Sequence, residues 1–439
     1  MITTIEEVLD FVKYNDVKFI RLSFCDLLGK QKNISIMPDE LPRAFEHGIP
    51  FDAHAINGFT DITRSDLLLV PEPTTLSVLP WRPQQGRVVR FYCSIKNPDG
   101  SAFWGDTREI LRTVVNKVNQ KGYSCMIGAE CEFYLFKTDE DGEPTVKPFD
   151  NGGYLDVSPL DKGENVRREI CLCLEEMGIK PETSHHEQGP GQNEIDFKFS
   201  DAVNSADNLI TFKQVVRSIA ARNGLFASFA PKPLPDKSGS GLHINMSLMK
   251  NGYNVFRVGD KDNSKVAESF IAGVLRKITE ITAFLNPIPN SYERFGCFEA
   301  PKYVSWSYGN RSQLVRIPAA HDDRIRMELR SPDPATNPYL AFALVIGAGF
   351  YGVENNLKLP ESINVDLYAA DESITGTLPR LPENLGDALR LAEESDFVRS
   401  MLNEQVLASF INIKKKELEA YNHANDKYEY FLSNYFKVI

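Results

Sequence analysis

Several acidic side chains in this sequence fall on segments that read as β-strands, where carboxylates are depleted and seldom buried without a partner. In Ile127-Gly128-Ala129-Glu130-Cys131-Glu132-Phe133-Tyr134-Leu135-Phe136, Glu130 and Glu132 are two residues apart and project from one face of an extended chain. His185-His186-Glu187-Gln188-Gly189-Pro190-Gly191-Gln192-Asn193-Glu194-Ile195-Asp196-Phe197 reads as strand, tight turn, strand, because Gly-Pro-Gly does not fit a helix or a central strand. After the turn, Ile195, Phe197 and Phe199 alternate with Glu194, Asp196 and Lys198, the period of a half-buried strand. Such a hairpin brings Glu187 and Glu194 together, and two carboxylates that close repel unless one is protonated or a cation lies between them. Residues 242–248 place His243, Asn245 and Ser247 on one strand face, and residues 324–330 place Arg326, Glu328 and Arg330 on another. Taken alone, the hairpin fits a solvated sheet rim, and a lone His fits a satisfied core position. Together the four segments read as one polar cavity lined by strands.

The donor set narrows the chemistry. Five carboxylates and one imidazole suit hard divalent cations such as Mg²⁺ or Mn²⁺, whereas zinc favours more nitrogen or sulfur. His186-Glu187 does not begin a zinc-protease helix, since position 190 is Pro where the second His is needed. Arginines beside such a cluster supply cations for the charge on a moving phosphate. No Walker loop is present, and Gly239-Ser240-Gly241 lacks the third glycine of a dinucleotide fingerprint.

The elements that must position these residues divide the chain into two parts. In the first, residues 3–15 form a short helix capped by Thr3 or Thr4, followed by strands at 17–24 and 31–36 across Asp26-Leu27-Leu28-Gly29. Residues 51–59 read as a loop; Pro71, Pro73, Pro80 and Pro83 then punctuate short strands, including 87–95. Asn97-Pro98-Asp99-Gly100 is a strong turn signal and marks the expected boundary between an α+β domain at 1–100 and a larger domain at 101–439. In the larger part helical patterns at 107–121, 165–177, 206–223 and 265–284 alternate with the acidic strands. An apolar helix at 335–352, capped by Asp333 and Pro334, and a helical array at 381–436 complete it.

Composition sets outer limits. The 439 residues, 42% hydrophobic and 25% charged, describe an ordinary globular chain with a substantial core. A net charge of −11 argues against a nucleic-acid surface. Seven scattered Cys without a CxxC pair, Cys171 and Cys173 among them on a helical pattern, suggest a reducing compartment. Residues 1–16 carry acidic groups and no long apolar run, so no signal peptide is expected, and no segment approaches the roughly 18 to 20 apolar residues of a membrane span. A cytoplasmic location follows as the expectation.

Along nearly its whole length the chain resembles the prokaryotic-type (type I) glutamine synthetases. Seven motifs carry the resemblance, in family order and near family spacing. They are residues 128–133, residues 186–195, Pro231-Lys232-Pro233 with Gly239-Ser240-Gly241-Leu242-His243, Asn290-Ser291-Tyr292-Glu293-Arg294, Glu299-Ala300-Pro301, Asn310-Arg311-Ser312 with Arg316-Ile317-Pro318, and Glu328-Leu329-Arg330-Ser331-Pro332-Asp333-Pro334. The resemblance implies an α+β fold, with an N-terminal β-grasp domain and an α/β catalytic domain around a strand-lined cavity. It implies ATP-dependent ligation of ammonia to L-glutamate through γ-glutamyl phosphate, with two or more Mg²⁺ or Mn²⁺ ions per site. Carried over by motif, Glu132, Glu187 and Glu194 hold one ion, and Glu130, His243 and Glu328 another beside the ATP phosphates. Arg294, Arg330 and the Gly239 backbone hold glutamate. Glu182, Asn245, Ser247, Arg316 and Arg326 contact nucleotide, Phe199 lines its site or packs in the core, and Arg311 lies along the phosphate path. Asp52 and Tyr154 match ammonium-binding positions, and Glu299 matches a lid carboxylate that accepts a proton. The resemblance further implies active sites shared between neighbouring subunits of a dodecamer of two hexameric rings, Asp52 coming from one subunit and the metals from the next.

The chain departs from the family pattern at four places. Ala53-His54-Ala55 stands for the usual Gly-Ser-Ser, Ser238 for an Asn, and Gly309 for an Arg, and the loop from Arg294 to Glu299 is one residue short. Two further readings therefore stand beside ammonia ligation: a γ-glutamyl–amine ligase taking an alkylamine or polyamine, and a non-catalytic nitrogen-sensing relative. Retention of Asp52, Tyr154, Glu299 and all six metal-matching residues favours the ammonia enzyme.

Overall fold

The computed structural model describes residues 4–82, 84–257, 261–320 and 324–439, with the backbone alone for 261–264. Thr3 and Pro83 lie outside the described residues. The first helix, Ile5–Tyr14, is capped by Thr4, whose hydroxyl accepts from the Glu7 amide at 3.2 Å while the Glu7 carboxylate accepts from the Thr4 amide at 3.0 Å. This reciprocal pair satisfies two of the orphan donors at a helix start.

Six strands follow. Gln31–Ile36, Val17–Cys25, Arg87–Lys96, Asp66–Pro71 and Ile49–Asp52 lie side by side in that order, with Ser77–Val78 paired to Arg87–Lys96. The central pair, Val17–Cys25 with Arg87–Lys96, is parallel and the other pairs are antiparallel. The segment expected to be a loop from Phe51 starts as strand, because Phe51 and Asp52 pair with Leu67 and Asp66. At the expected turn, the Gly100 amide donates to the Asn97 carbonyl at 2.9 Å, with Gly100 at φ +84, a conformation that a side chain disfavours.

The larger sheet has eleven strands, with a spine in the order Trp306–Tyr308, Val315–Ile317, Met327–Leu329, Leu242–Lys250, Tyr123–Thr138, Gln192–Phe197 and Pro181–His186. All of its pairs are antiparallel except Trp306–Tyr308 with Val315–Ile317. Register brings the acidic residues together: Glu130 stands opposite His243 on one side and Asp196 on the other, Glu132 opposite Glu194, and Glu194 opposite His185. The strand expected over 324–330 is confined to Met327–Leu329, matching its three-residue neighbour Val315–Ile317, and Arg326 and Arg330 flank it.

The helices at 107–120, 164–176 and 202–222 pack against strands of this sheet. Ala202–Arg222 begins four residues earlier than its apolar pattern suggests, because Asp201 caps it by accepting from the Asn204 amide at 3.2 Å. Thr107–Gln120, Glu164–Glu176 and Lys261–Leu285 form as expected. The apolar helix is Pro338–Glu354, and its cap is Asn337, which accepts from the Tyr339 amide at 3.0 Å, rather than Asp333 and Pro334. Asp333 is instead buried in the turn before the helix, accepting from Asn286 Nδ2 at 2.8 Å and from the Ala335 amide at 2.9 Å. The C-terminal array contains Leu385–Glu394, Asp396–Met401, Glu404–His423 and Lys427–Phe431.

One continuous core runs under both sheets, including Leu22 and Phe91 of the smaller and Phe212 and Phe284 near the larger. Each such side chain contributes on the order of 2 kcal/mol by burial. A buried polar knot joins the same parts. Arg108 donates Nε and Nη2 to the two oxygens of Asp207, each at 2.9 Å, Tyr339 donates to Asp207 Oδ1 at 2.7 Å, and Tyr92 donates to the Asp207 carbonyl at 3.0 Å.

Candidate active site

The expected residues converge on a cavity of about 750 Å³ between the carboxylate-bearing strands and the 294–330 region. At one end, His243 Nδ1 lies 3.3 Å from Glu130 Oε2 and 3.6 Å from Glu328 Oε1. Glu328 is buried and accepts from Arg316 Nη1 at 2.7 Å and from Arg330 Nη1. Asn245 donates to Glu130 at 2.8 Å and itself accepts from Arg326 Nε at 2.7 Å. At the other end, Glu132 Oε2 accepts from Gln192 Nε2 and from the Gly241 amide, both at 2.9 Å. Glu187 lies 3.0 Å from His185 Nε2 and accepts from the Gln188 amide at 2.9 Å, and Glu194 lies 3.9 Å from the same imidazole nitrogen.

Protonation equilibria differ between the two ends. Burial pushes the Glu328 carboxyl up, but Arg330, His243 and Arg316 outweigh it and bring it down to about 2. Burial likewise opposes His243 and Asn245 at Glu130, whose carboxyl ends below its ordinary value. Glu132 is raised to about 6 by burial, with Glu187 adding to the rise against the pull of His243. Asp196 reaches about 6 through burial and the Glu130 charge. Glu194 is pushed well above its ordinary range by burial and by the neighbouring carboxylates Asp196, Glu132, Glu130 and Glu187.

These residues fit divalent cations. Glu130, His243 and Glu328 bring one donor atom each within 4.8 Å of one another, as do Glu132, Glu194 and His243, and His185, Glu187 and Glu194. Oxygen-rich sets with a single imidazole are the chemistry of Mg²⁺ or Mn²⁺ sites. Buried carboxylates forced toward protonation by one another are what a cation would relieve. Asp150, Asp161 and His186 come equally close, but their atoms are engaged. His186 Nε2 sits 2.9 Å from Asp150 and Nδ1 2.7 Å from the Glu187 carbonyl, while Asp161 accepts from Arg167 at 2.6 Å. That trio braces the Glu187 hairpin.

The opposite wall is cationic. Arg294 is buried, with Nη1 donating to the Ser331 and Pro332 carbonyls at 3.0 and 3.3 Å. Gly239 packs on it, and a Cβ there would lie 2.4 Å from the Pro231 oxygen and 2.6 Å from Arg294 Cγ, so only glycine fits. Glu299 reaches in from the loop, accepting from Gln188 Nε2 at 3.3 Å and lying 3.7 Å from Arg330 and 4.0 Å from Arg311. Phe298 and Glu299 both hold left-handed backbone, at φ +46 and +64, at a cost on the order of 1 kcal/mol or more each. Tyr154 stands edge-on to His185, ring centroids 5.6 Å apart.

A second cavity of about 520 Å³ holds Glu182, Asn245 and Ser247 and shares Glu130, Asp196 and Arg326 with the first. Phe199 lines it and is 58% exposed, so packing in the strand core does not account for this ring. The strand ends at Phe197, which breaks the alternation that would have buried Phe199. Asp52 lines neither cavity. It is exposed on the smaller sheet and accepts from the His54 amide at 3.0 Å. His185, Gln192 and Asp196 also line the first cavity. All three were readable from the hairpin: Gln192 and Asp196 share the parity of Glu194, and His185 is its cross-strand neighbour.

Carboxylates on one wall and buried arginines on the other form a site suited to divalent cations and anionic substrates. Known proteins narrow this further. Residues 16–98 match the model of the glutamine synthetase β-grasp domain, and residues 104–432 that of the glutamine synthetase catalytic domain. The chain is 45% identical to the glutamine synthetase of Methanosarcina mazei over 442 aligned positions, covering 100% of this chain and 98% of that one. It is 44% identical to that of Clostridium saccharobutylicum over 438, covering 98% of each. Among solved structures, a GmaS–ADP complex aligns with a TM-score of 0.87 at 29% identity, covering 97% of this chain and 99% of its own. Plasmodium falciparum glutamine synthetase aligns with a TM-score of 0.85 at 25% identity, covering 98% of each. The chain belongs to the glutamine synthetase family.

Proposed function

We propose that the chain makes L-glutamine from L-glutamate, ammonium and ATP through γ-glutamyl phosphate, with the residues above in the following roles. Glu132, Glu187 and Glu194 hold one divalent cation and Glu130, His243 and Glu328 another, either Mg²⁺ or Mn²⁺. When bound, these ions neutralise the carboxylates and stabilise charge on the transferring phosphate. Arg294 and Arg330, with the Gly239 backbone, orient glutamate so that its γ-carboxylate faces the phosphate, since guanidinium forks suit carboxylates. Glu182, Asn245, Ser247, Arg316 and Arg326 bind the nucleotide, with Phe199 beside it, and Arg311 offsets charge along the transfer path. Tyr154 and Asp52 bind ammonium. Glu299 closes over the acyl phosphate, excludes water and accepts the proton that the attacking amine releases.

Asp52 stands apart from the cavity within one chain, which supports an active site completed by a neighbouring subunit and hence an obligate ring, a dodecamer of two hexamers. The scattered free thiols support a reducing cytoplasm; among the described residues no helix is long and apolar enough to cross a membrane.

The observation that carries the reading is that five metal-type donors and the buried arginines Arg294 and Arg330 line one cavity, with a sixth donor, the buried Glu328, within reach of Glu130 and His243. Ammonium is favoured over a larger amine because the relatives at 44 and 45% identity are glutamine synthetases, against 29% to GmaS. Phosphate release and amide formation, measured with glutamate and ATP across ammonium, methylamine, ethylamine and putrescine, test it. Ammonium is expected to give the highest kcat/KM, and preference for any alkylamine at equal concentration would refute it.

A further inference from the structure

A third cavity, of about 650 Å³, carries the opposite charge and takes no part in the reaction above. It opens between the turn at Leu28–Lys32, the Ala202–Arg222 helix, the Pro334–Thr336 segment and the Glu404–His423 helix. Lys30, Lys32, Lys213, Arg217 and Lys414 line it, against one acidic side chain, Glu417, which Lys414 already engages at 2.8 Å. Lys32 lies 3.9 Å from Asp26. Lys213 is only 8% exposed, and its one hydrogen bond among the described residues goes to the Pro334 carbonyl. Among the described residues, no carboxylate comes within ion-pair distance of Lys213 or of Arg217, whose guanidinium sits 5.1 Å from the Phe229 ring centre. Burial lowers the Lys213 ammonium to about 8, so it is still mostly charged at neutral pH. Gln31 and Gln214, also at this cavity, each keep one buried amide atom without a partner. A buried ammonium without a carboxylate partner, an unpaired guanidinium beside it and unpaired buried amide atoms, gathered on one cavity, are an uncompensated electrostatic and hydrogen-bonding demand. Tyr430, Tyr435 and Ile210 give the same cavity an apolar wall.

We propose that this cavity binds a small organic dianion, its charged head against Lys213, Arg217 and Lys30 and its carbon skeleton against the tyrosine wall. A phosphate monoester and a dicarboxylate share that chemistry. The site is tied to the glutamate clamp through a short segment that follows Arg330: Lys213 holds the Pro334 carbonyl, and Arg294 holds the carbonyls of Ser331 and Pro332. A ligand that recruits Lys213 alters how this segment is anchored and so shifts the KM for glutamate. That consequence rests on the proposed function; binding does not.

Calorimetry on the assembled enzyme with its divalent metal chelated separates the two, because any probe held at the arginine wall of the active site is unaffected by the variants below. Phenyl phosphate, phthalate and inorganic phosphate are the probes. Saturable binding of one aromatic dianion per chain is expected, several-fold tighter than inorganic phosphate, and the tighter of the two aromatic probes identifies the head group. The double variant Lys30→Gln/Arg217→Gln, both exposed positions, should weaken binding at least tenfold while leaving Mn²⁺ binding and probe-free glutamine synthesis unchanged. Lys213→Met should weaken binding at least as much and remove any probe effect on the glutamate KM, while itself shifting the probe-free KM because the Pro334 anchor is gone. No saturable binding by wild type, or equal binding by the double variant, would overturn the site; tight binding that leaves the glutamate KM unmoved would overturn the coupling.

Discussion

At the His243 end of the cavity, Glu328 is buried among Arg330, His243 and Arg316, and its carboxyl is held down to about 2 although burial alone would raise it. At the hairpin end, Glu132 and Asp196 sit near 6 and Glu194 higher still, because burial there is reinforced by carboxylate neighbours. The same residue type, on strands of one sheet, is thus compensated at one end by resident cations and left uncompensated at the other. The compensated end is organised before anything binds. The hairpin end is stable only with protons or a cation between its carboxylates, so metal affinity and pH sensitivity should concentrate there.

The largest expected effect comes from cutting the compensated end. Glu328→Ala strands Arg330 and Arg316 around a buried void, and breaking a buried ion pair from one side costs about 3–5 kcal/mol. Urea unfolding of the metal-free protein should show that loss together with weakened ATP binding. Glu194→Ala should leave metal-free stability unchanged or raised while turnover falls by about two orders of magnitude or more, as loss of a metal-ion contribution implies. Equal destabilisation by the two substitutions would erase the contrast.

A smaller effect should appear with pH. Glu132 and Asp196 have folded values above their unfolded ones, so the folded state binds protons more tightly. Their contribution to stability is greatest below the ordinary carboxylate range and is lost as pH rises through about 6. Metal-free protein should therefore lose roughly 3 to 4 kcal/mol between pH 4.5 and 7.5 from these groups, and saturating Mn²⁺ should flatten that slope. A metal-free stability that rises over this interval would contradict the assignment.

The smallest effects concern the side-chain amides that hold each cluster. Asn245→Ala frees Glu130 and Arg326 and should raise the KM for ATP several-fold. Gln192→Ala frees Glu132 and should raise the Mn²⁺ requirement instead, each by about 1 kcal/mol of binding. Exchange of these two phenotypes would mean the ends have been assigned the wrong way round.

Much of this site was legible in the residues because strand parity and turn chemistry are local. Glu130 with Glu132, the Gly189-Pro190-Gly191 reversal, and His243 with Asn245 each follow from a period of two or from proline and glycine stereochemistry. What escaped depended on long-range partners. Asp333 reads as a helix cap until Asn286, 47 residues earlier in the chain, is seen to hold it. Phe199 reads as core until the strand stops at Phe197. The contrast between the two ends was invisible in composition, since it arises from which neighbours the register delivers: Arg316 directly opposite Glu328, and Glu132 opposite Glu194.

The central claim is that the cavity holds at least two divalent cations, one at each end and separately removable. Electron paramagnetic resonance of free Mn²⁺, titrated against chelator-treated protein, counts them directly. Wild type should bind at least two ions per chain, Glu194→Gln should lose the ion of the hairpin end, and Glu328→Gln should lose that of the His243 end. Wild type binding no Mn²⁺, or both variants retaining the full wild-type count, would contradict the account.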